Sequence, residues 1–300
     1  MITAMSEWSI KSIRYGSADL YPVSCLGIGL ATIMVNYYIG LALQKLVDLA
    51  YMSLPRKKPG LPALQGCKIV SHRGEHDNRS IRENTMAAFA RVRDAGVWGI
   101  EFDVRWTRDL EPVVLHDPNT RRVFGTAIEV AKVDFDELRQ RLPEVPSLAE
   151  VIERFGADMH LMVEIKQDEL EADPQKRERL IELFAHLAPA RDFHFLALQT
   201  ELFSVVDFAG SEACLPVAEF NVGEISRLAS ERSFAGISGQ YLLLNERLIR
   251  RHRQINQCVG TGFAASRYSF YRELNRGVDW IFTNHALKLA KIRQELMRDR

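Results

Sequence analysis

The chain has 300 residues, with 39 Lys plus Arg balanced by 39 Asp plus Glu. That balance lacks the basic excess a nucleic-acid partner would favour, so no nucleic acid is expected. Cys25, Cys67, Cys214 and Cys258 are scattered; they form neither a disulfide framework nor a metal-binding spacing, and a reducing compartment is the default expectation.

Residues 1–20 are mixed in polarity, and Val23–Leu43 (VSCLGIGLATIMVNYYIGLAL) is uncharged. That run has the length of one bilayer-spanning helix and the small residues common in such helices. It starts late and lacks a basic leader directly before it, which disfavours a cleaved signal peptide. A hydrophobic helix over residues 23–43, spanning or associated with a membrane, is the expectation; a helix packed on the following domain or on another subunit is the alternative. Lys45, Arg56, Lys57 and Lys58 follow the run while Lys11 and Arg14 precede it. This bias predicts a cytoplasmic catalytic domain on a membrane-associated protein; without membrane association the protein is read as cytoplasmic. Pro and Gly residues in Ser53–Gly66 read as a linker. The division is therefore residues 1–60 as an N-terminal segment and 61–300 as one catalytic domain.

From Lys68 onward short apolar runs alternate with helical patterns. Lys68–Ser71, Val97–Ile100, Pro112–Leu115 and Leu161–Lys166 read as the first four strands. Phe195–Leu198, Leu215–Val217, Gly236–Ser238, Val259–Phe263 and Trp280–Thr283 are the later candidates. Helices are expected over Glu83–Ala95, Phe135–Leu142 and Leu180–Leu187, with another opening at Ser147, capped through Glu150. Thr120–Thr126 reads as a loop. The pattern predicts an α/β fold, a (β/α)8 TIM barrel preceded by the N-terminal helix; such a barrel takes about 250 residues.

Polar groups gather at the ends of the early strands, where parallel barrels build active sites. Glu101 and Asp103 are two apart, so on a strand they face the same side. Adjacent carboxylates repel unless one is protonated or a cation lies between them, and a hard divalent ion suits oxygen ligands. Glu164 adds a third carboxylate. His72 and His116 end neighbouring predicted strands and could serve as general base and general acid. Arg73 offers a planar cation for a phosphate oxygen, and Lys166 faces the same side as Glu164. Glu83 and Asn84 either cap the first helix or border the site. Asp117 is read as orienting its loop, and the remaining histidines as surface or structural residues.

These motifs resemble the glycerophosphodiester phosphodiesterases. The resemblance rests on His72-Arg73-Gly74, Glu83-Asn84-Thr85, Ile100-Glu101-Phe102-Asp103-Val104, Thr107, Asp109, Pro112-Val113-Val114, His116-Asp117 and Val163-Glu164-Ile165-Lys166, then Gly277-Val278-Asp279 and Thr283. It implies one divalent metal ion, Mg2+ or Ca2+ with Mn2+ as a further choice, bound by Glu101, Asp103 and Glu164. It also implies acid–base catalysis by His72 and His116, phosphate contacts from Arg73 and Lys166, and a border formed by Glu83 and Asn84. His72 is read as base and His116 as acid, an order the sequence leaves open. The implied reaction cleaves a glycerophosphodiester to sn-glycerol 3-phosphate and an alcohol, with a small-molecule or lipid phosphodiester as substrate. The chain departs from the family near its end, at Val259–Phe263 and Thr283-Asn284-His285-Ala286, positions that shape the alcohol pocket. A lysophospholipase D at the membrane is therefore a second reading, and a non-catalytic membrane-tethered binding barrel a third.

Overall fold

The structure, a computed structural model, describes residues 49–50, 53–166 and 173–299. The run 23–43 expected at a membrane lies outside these residues. Among the described residues no helix is long and apolar enough to cross a membrane.

The barrel elements lie within the unit Tyr51–Arg300. Helix α1 (Leu61–Gln65) leads into β1 (Lys68–His72), followed by α2 (Met86–Asp94), β2 (Gly99–Trp106), β3 (Pro112–Val114), α3 (Arg121–Phe124), α4 (Phe135–Arg141), α5 (Leu148–Phe155) and β4 (His160–Ile165). Then come α6 (Pro174–Phe184), β5 (Phe193–Ala197), β6 (Cys214–Ala218), α7 (Val222–Glu231), β7 (Gly236–Gln240), α8 (Glu246–Gln254), β8 (Cys258–Gly262), α9 (Arg267–Arg276), β9 (Trp280–Thr283) and α10 (Ala286–Arg298). The strand order β1-β9-β8-β7-β6-β5-β4-β2, closed by pairing of β1 with β2, makes the expected parallel barrel.

One predicted stave is not a stave. β3 runs antiparallel to β2, with Val104 opposite Val114 and Trp106 opposite Pro112, so His116 follows a hairpin arm and not a barrel strand. The local cause is the turn between them. Thr107 Oγ1 donates to Asp109 Oδ1 at 2.6 Å and accepts the Glu111 N–H at 3.0 Å, which folds the chain back on itself. Val113, Leu115, Ile128, Val130, Val133, Leu138 and Val145 form a small core of their own under this arm. The expected loop at 120–126 contains helix α3.

Two helix starts show why the chain folds locally as it does. Thr85, and neither Glu83 nor Asn84, caps α2, its side chain accepting from Ala88 N–H. Ser147 and Glu150 form the expected capping box at α5.

Strand period fixes what faces inward. Ile100, Phe102, Val104, Leu161, Val163 and Ile165 point out to the helices in the main core. Val70, Met162, Leu196, Leu215, Trp280 and Phe282 fill the barrel interior. Along β4 the inward residues are His160, Met162 and Glu164, so an apolar middle layer separates a histidine-containing floor from an acidic top.

The floor holds an unusual pair. His160 Nε2 lies 2.7 Å from His194 Nδ1, and His160 Nδ1 lies 3.0 Å from the Arg191 carbonyl. Because a carbonyl only accepts, His160 carries its proton on Nδ1 and receives one from His194. Trp98 stacks on His160 at 4.3 Å. Burial pushes His160 down to about 4 and His194 down to about 3.

Candidate active site

Register brings the acidic residues together. β1 pairs with β2 so that His72 lies beside Glu101, and β2 pairs with β4 so that Asp103 lies beside Glu164. In parallel strands such neighbours share a face. The carboxylates of Glu101, Asp103 and Glu164 consequently offer oxygens within 4.8 Å of one another.

Arg73 and Asn84 reach this cluster from the β1–α2 loop through left-handed backbone, at φ 59° and 57°. That conformation is uncommon for Arg and is fixed by two hydrogen bonds. Arg73 N–H donates to the Glu101 carbonyl at 2.8 Å, and Asn84 N–H donates to the Arg73 carbonyl at 3.0 Å. Gly74 follows, at φ 77°, because a Cβ there would stand 2.7 Å from the Ala88 backbone. As a result Arg73 Nε lies 3.0 Å from Asp103 Oδ2, and Asn84 Nδ2 donates to the same oxygen at 2.8 Å.

Lys166, just past β4, places Nζ 2.8 Å from Asp103 Oδ1 and also bonds Glu164. Three carboxylates thus share two cations. Burial, with Asp103 and Glu164 nearby, pushes the Glu101 carboxyl well above its usual range. Glu164 is raised for the same reason, burial first and Asp103 second. Burial opposes ionisation of Asp103 as well, but Lys166 and Arg73 hold its carboxyl low.

Both Glu101 oxygens are buried with no hydrogen-bond partner. Buried carboxylate oxygens are costly unless paired. A hard cation coordinated by Glu101, Asp103 and Glu164 would satisfy them, so the donor set fits a divalent metal.

The two histidines differ in their partners. His72 Nδ1 lies 2.6 Å from Asn284 Oδ1, its Nε2 lies 3.7 Å from Glu101 Oε2, and Phe263 meets its ring edge-on at 4.8 Å. Burial, with Arg73 adding to it, pushes His72 down to about 4. His116 Nδ1 lies 2.6 Å from Asp117 Oδ1, and Arg105 donates twice to the His116 carbonyl, at 2.9 and 2.8 Å. Burial lowers His116 too, opposed by Asp103 and Asp117.

Glu83 is buried at the edge of the site and takes Arg73 at 3.0 Å, Asn78 at 2.7 Å and both Nη atoms of Arg122 at 2.9 and 2.7 Å. Burial alone would raise its carboxyl, but the Arg122 and Asn78 hydrogen bonds hold it at about 2. Glu83 is therefore an ion-pair hub for two arginines.

A profile of the glycerophosphoryl diester phosphodiesterase family matches residues 72–192, the stretch that supplies every one of the nine expected site residues. A glycerophosphodiester phosphodiesterase of Bacillus altitudinis is 25% identical over 248 residues, covering 76% of this chain and 99% of its own. Over this stretch the chain is similar to the glycerophosphodiester phosphodiesterases. A relative of that name from Caldanaerobacter subterraneus is 36% identical over 111 residues, 33% of this chain, and the match spans 44% of the relative's length. The fold agrees with that of an Oleispira antarctica phosphodiesterase solved with its product sn-glycerol-3-phosphate, at TM-score 0.66 and 20% identity over 77% of this chain and 99% of that one.

All nine expected residues converge on the C-terminal end of the barrel. Lys166 is the last of them in sequence, and the segment 167–172 that follows lies outside the described residues. Sequence reasoning missed three contributors. Asn284 stood out only as a departure from the family's closing motif, Asp117 was read as orienting its loop, and Arg122 fell in a segment taken for a loop. An Arg six residues after the second His, in a stretch with Arg121 beside it, was the available signal.

Proposed function

We propose that the protein is a metal-dependent glycerophosphodiester phosphodiesterase that yields sn-glycerol 3-phosphate and an alcohol. The observation that carries this reading is the pair of imidazoles with unlike partners on either side of an acidic cluster. His72 is held by an amide and left neutral, as a base requires; His116 is held by a carboxylate that favours the imidazolium, as an acid requires. Arg73 and Lys166 stand beside the cluster to offset phosphate charge.

A divalent ion on Glu101, Asp103 and Glu164 would supply charge neutralisation at the phosphoryl oxygens. His72 Nε2 takes the proton of the attacking oxygen as that oxygen bonds phosphorus. The bond from phosphorus to the leaving oxygen breaks, its electron pair stays on that oxygen, and His116 supplies the proton. With the substrate's own glycerol hydroxyl attacking, a cyclic phosphate forms first. Water then opens it, with the proton roles of the two histidines exchanged.

Purified protein offered Mg2+, Ca2+ or Mn2+ in turn, with glycerophosphocholine and glycerophosphoethanolamine as substrates, should release sn-glycerol 3-phosphate. If a His72→Ala, His116→Ala protein matches wild type on every diester, this assignment fails.

A specific observation favours lysophospholipids as further substrates. Leu198, Phe220 and Phe263 follow β5, β6 and β8 on the end of the barrel that bears the site, and Phe220 is 92% exposed. The opposite rim, after β1 and β3, is charged. Such a mouth suits a phosphodiester with an apolar chain on one alcohol. Membrane association through the uncharged run 23–43, with the catalytic domain in the cytoplasm, belongs to the same proposal. Release of choline from lysophosphatidylcholine, lost in Phe220→Ser and Phe263→Ser, is the expected result.

A further inference from the structure

A chain of charge runs behind the second histidine. Arg122 donates from Nε to Asp117 Oδ2 at 2.7 Å and from Nη2 to Asp117 Oδ1 at 3.2 Å, and the same guanidinium bonds both oxygens of Glu83. Asp117 in turn holds His116 Nδ1 at 2.6 Å. Burial alone would raise the Asp117 carboxyl, but its hydrogen bonds from Arg122 and His116 bring it below its usual range.

Three geometric facts decide what this arrangement does. Asp117 is partly exposed, so without a second tether its carboxylate could rotate away from the ring. Arg122 supplies that tether through a planar fork that a lysine lacks. Glu83, buried and bonded also to Arg73, anchors the guanidinium to the loop that carries the phosphate-side cation. The fork thus fixes the hairpin arm bearing His116 to the loop after β1, and aims His116 Nε2 away from Asp117.

We propose that Arg122 is a positioning residue for protonation of the leaving group, acting through Asp117 on His116. The proposal rests on the reading of His116 as the acid. During cleavage His116 gives its Nε2 proton to the departing oxygen while Nδ1–H stays on Asp117, so the carboxylate must hold its place as the ring loses charge. Without the guanidinium the carboxylate and the ring lose their common geometry. The cost then falls on leaving groups that need a proton.

The test compares two esters of glycerol 3-phosphate, choline and p-nitrophenol, with metal-saturated full-length protein. A p-nitrophenolate departs without protonation; choline alkoxide does not. In Arg122→Gln, the single-turnover rate of choline release, which precedes ring opening, should fall about 10–100-fold, part of what a general acid supplies, while that of p-nitrophenol release changes by under about threefold. Added guanidinium should restore part of the choline-ester rate, and Arg122→Lys should behave more like Arg122→Gln than like wild type. Asp117→Asn should show the same discrimination and stands in if Arg122→Gln does not fold. Equal losses in single-turnover release from both esters, or weaker substrate binding with an unchanged maximal rate of release, would overturn the inference. The His116→Ala protein separates the two levels. If it slows single-turnover alcohol release from both esters alike, His116 is not the acid; if it discriminates while Arg122→Gln does not, the assignment of Arg122 alone fails.

Discussion

His72 Nδ1 and Asn284 Oδ1 are 2.6 Å apart, so an amide holds the imidazole while burial keeps it neutral. An amide oxygen accepts Nδ1–H and fixes the tautomer with Nε2 free toward the site, yet stabilises the imidazolium far less than a carboxylate would.

Asn284→Asp should therefore raise the proton affinity of His72, now pushed down to about 4 chiefly by burial. A base must be unprotonated, so the acidic limb of kcat/KM moves to higher pH, by about one unit or more. Activity near pH 5 drops by about half while activity at pH 8 changes little. A pH–rate profile of the two proteins decides it; superimposable acidic limbs would mean that His72 does not carry the limb.

Glu101→Gln should abolish turnover and still stabilise the metal-free protein. The Glu101 carboxyl is pushed up by burial and by Asp103 and Glu164. Near neutrality its ionised form therefore costs stability, and a neutral isostere removes that cost. In chelator the melting temperature should rise by about 2–6 °C. Added Mg2+, Ca2+ or Mn2+ should raise it in wild type and have little effect on the variant. Thermal scans with and without each ion provide the check.

The floor pair gives the barrel an acid sensitivity. His160 and His194 have folded values of about 4 and about 3, below the ordinary 6.5. The unfolded chain therefore binds more protons than the folded one once pH falls below 6.5. Stability is full above 6.5 and declines as pH falls toward the folded values, by on the order of 2 kcal/mol per imidazole at pH 5. Urea midpoints at pH 7.5 and pH 5 should differ less in a His160→Gln, His194→Leu protein than in wild type.

Gly74→Ala should cost about 1–3 kcal/mol, because φ of 77° and a 2.7 Å approach to Ala88 both exclude a Cβ. The backbone shift it forces also moves Arg73 off Asp103. Activity should fall more steeply than the urea midpoint, and an unaltered kcat would mean that the loop absorbs the methyl without moving Arg73.

The barrel was legible because its signals are local. The inward–outward alternation of β2 and β4 reads directly from Glu101, Asp103 and Glu164 against Ile100, Phe102 and Val163. What was not legible is set by contacts distant in sequence. Nothing in Pro112-Val113-Val114 distinguishes an antiparallel arm from a stave; the Thr107–Glu111 turn does, through side-chain and backbone hydrogen bonds. Asn284 reaches His72 across 212 positions, and Arg122 finds Glu83 across 39. The floor pair was read as surface or structural histidines; both rings are buried, and their mutual hydrogen bond comes from the pairing of β4 with β5.

Val113 and Leu115 of the β3 arm pack in a small core of their own, while Val114 packs in the main one. His116 therefore follows an arm held in part by a cluster other than the one that packs the barrel. Local opening of a small cluster requires less free energy than global unfolding. As temperature rises, the arm carrying His116 should loosen while the barrel carrying His72 stays closed. Turnover then fades before the fold does, and it returns on cooling without any refolding of the barrel.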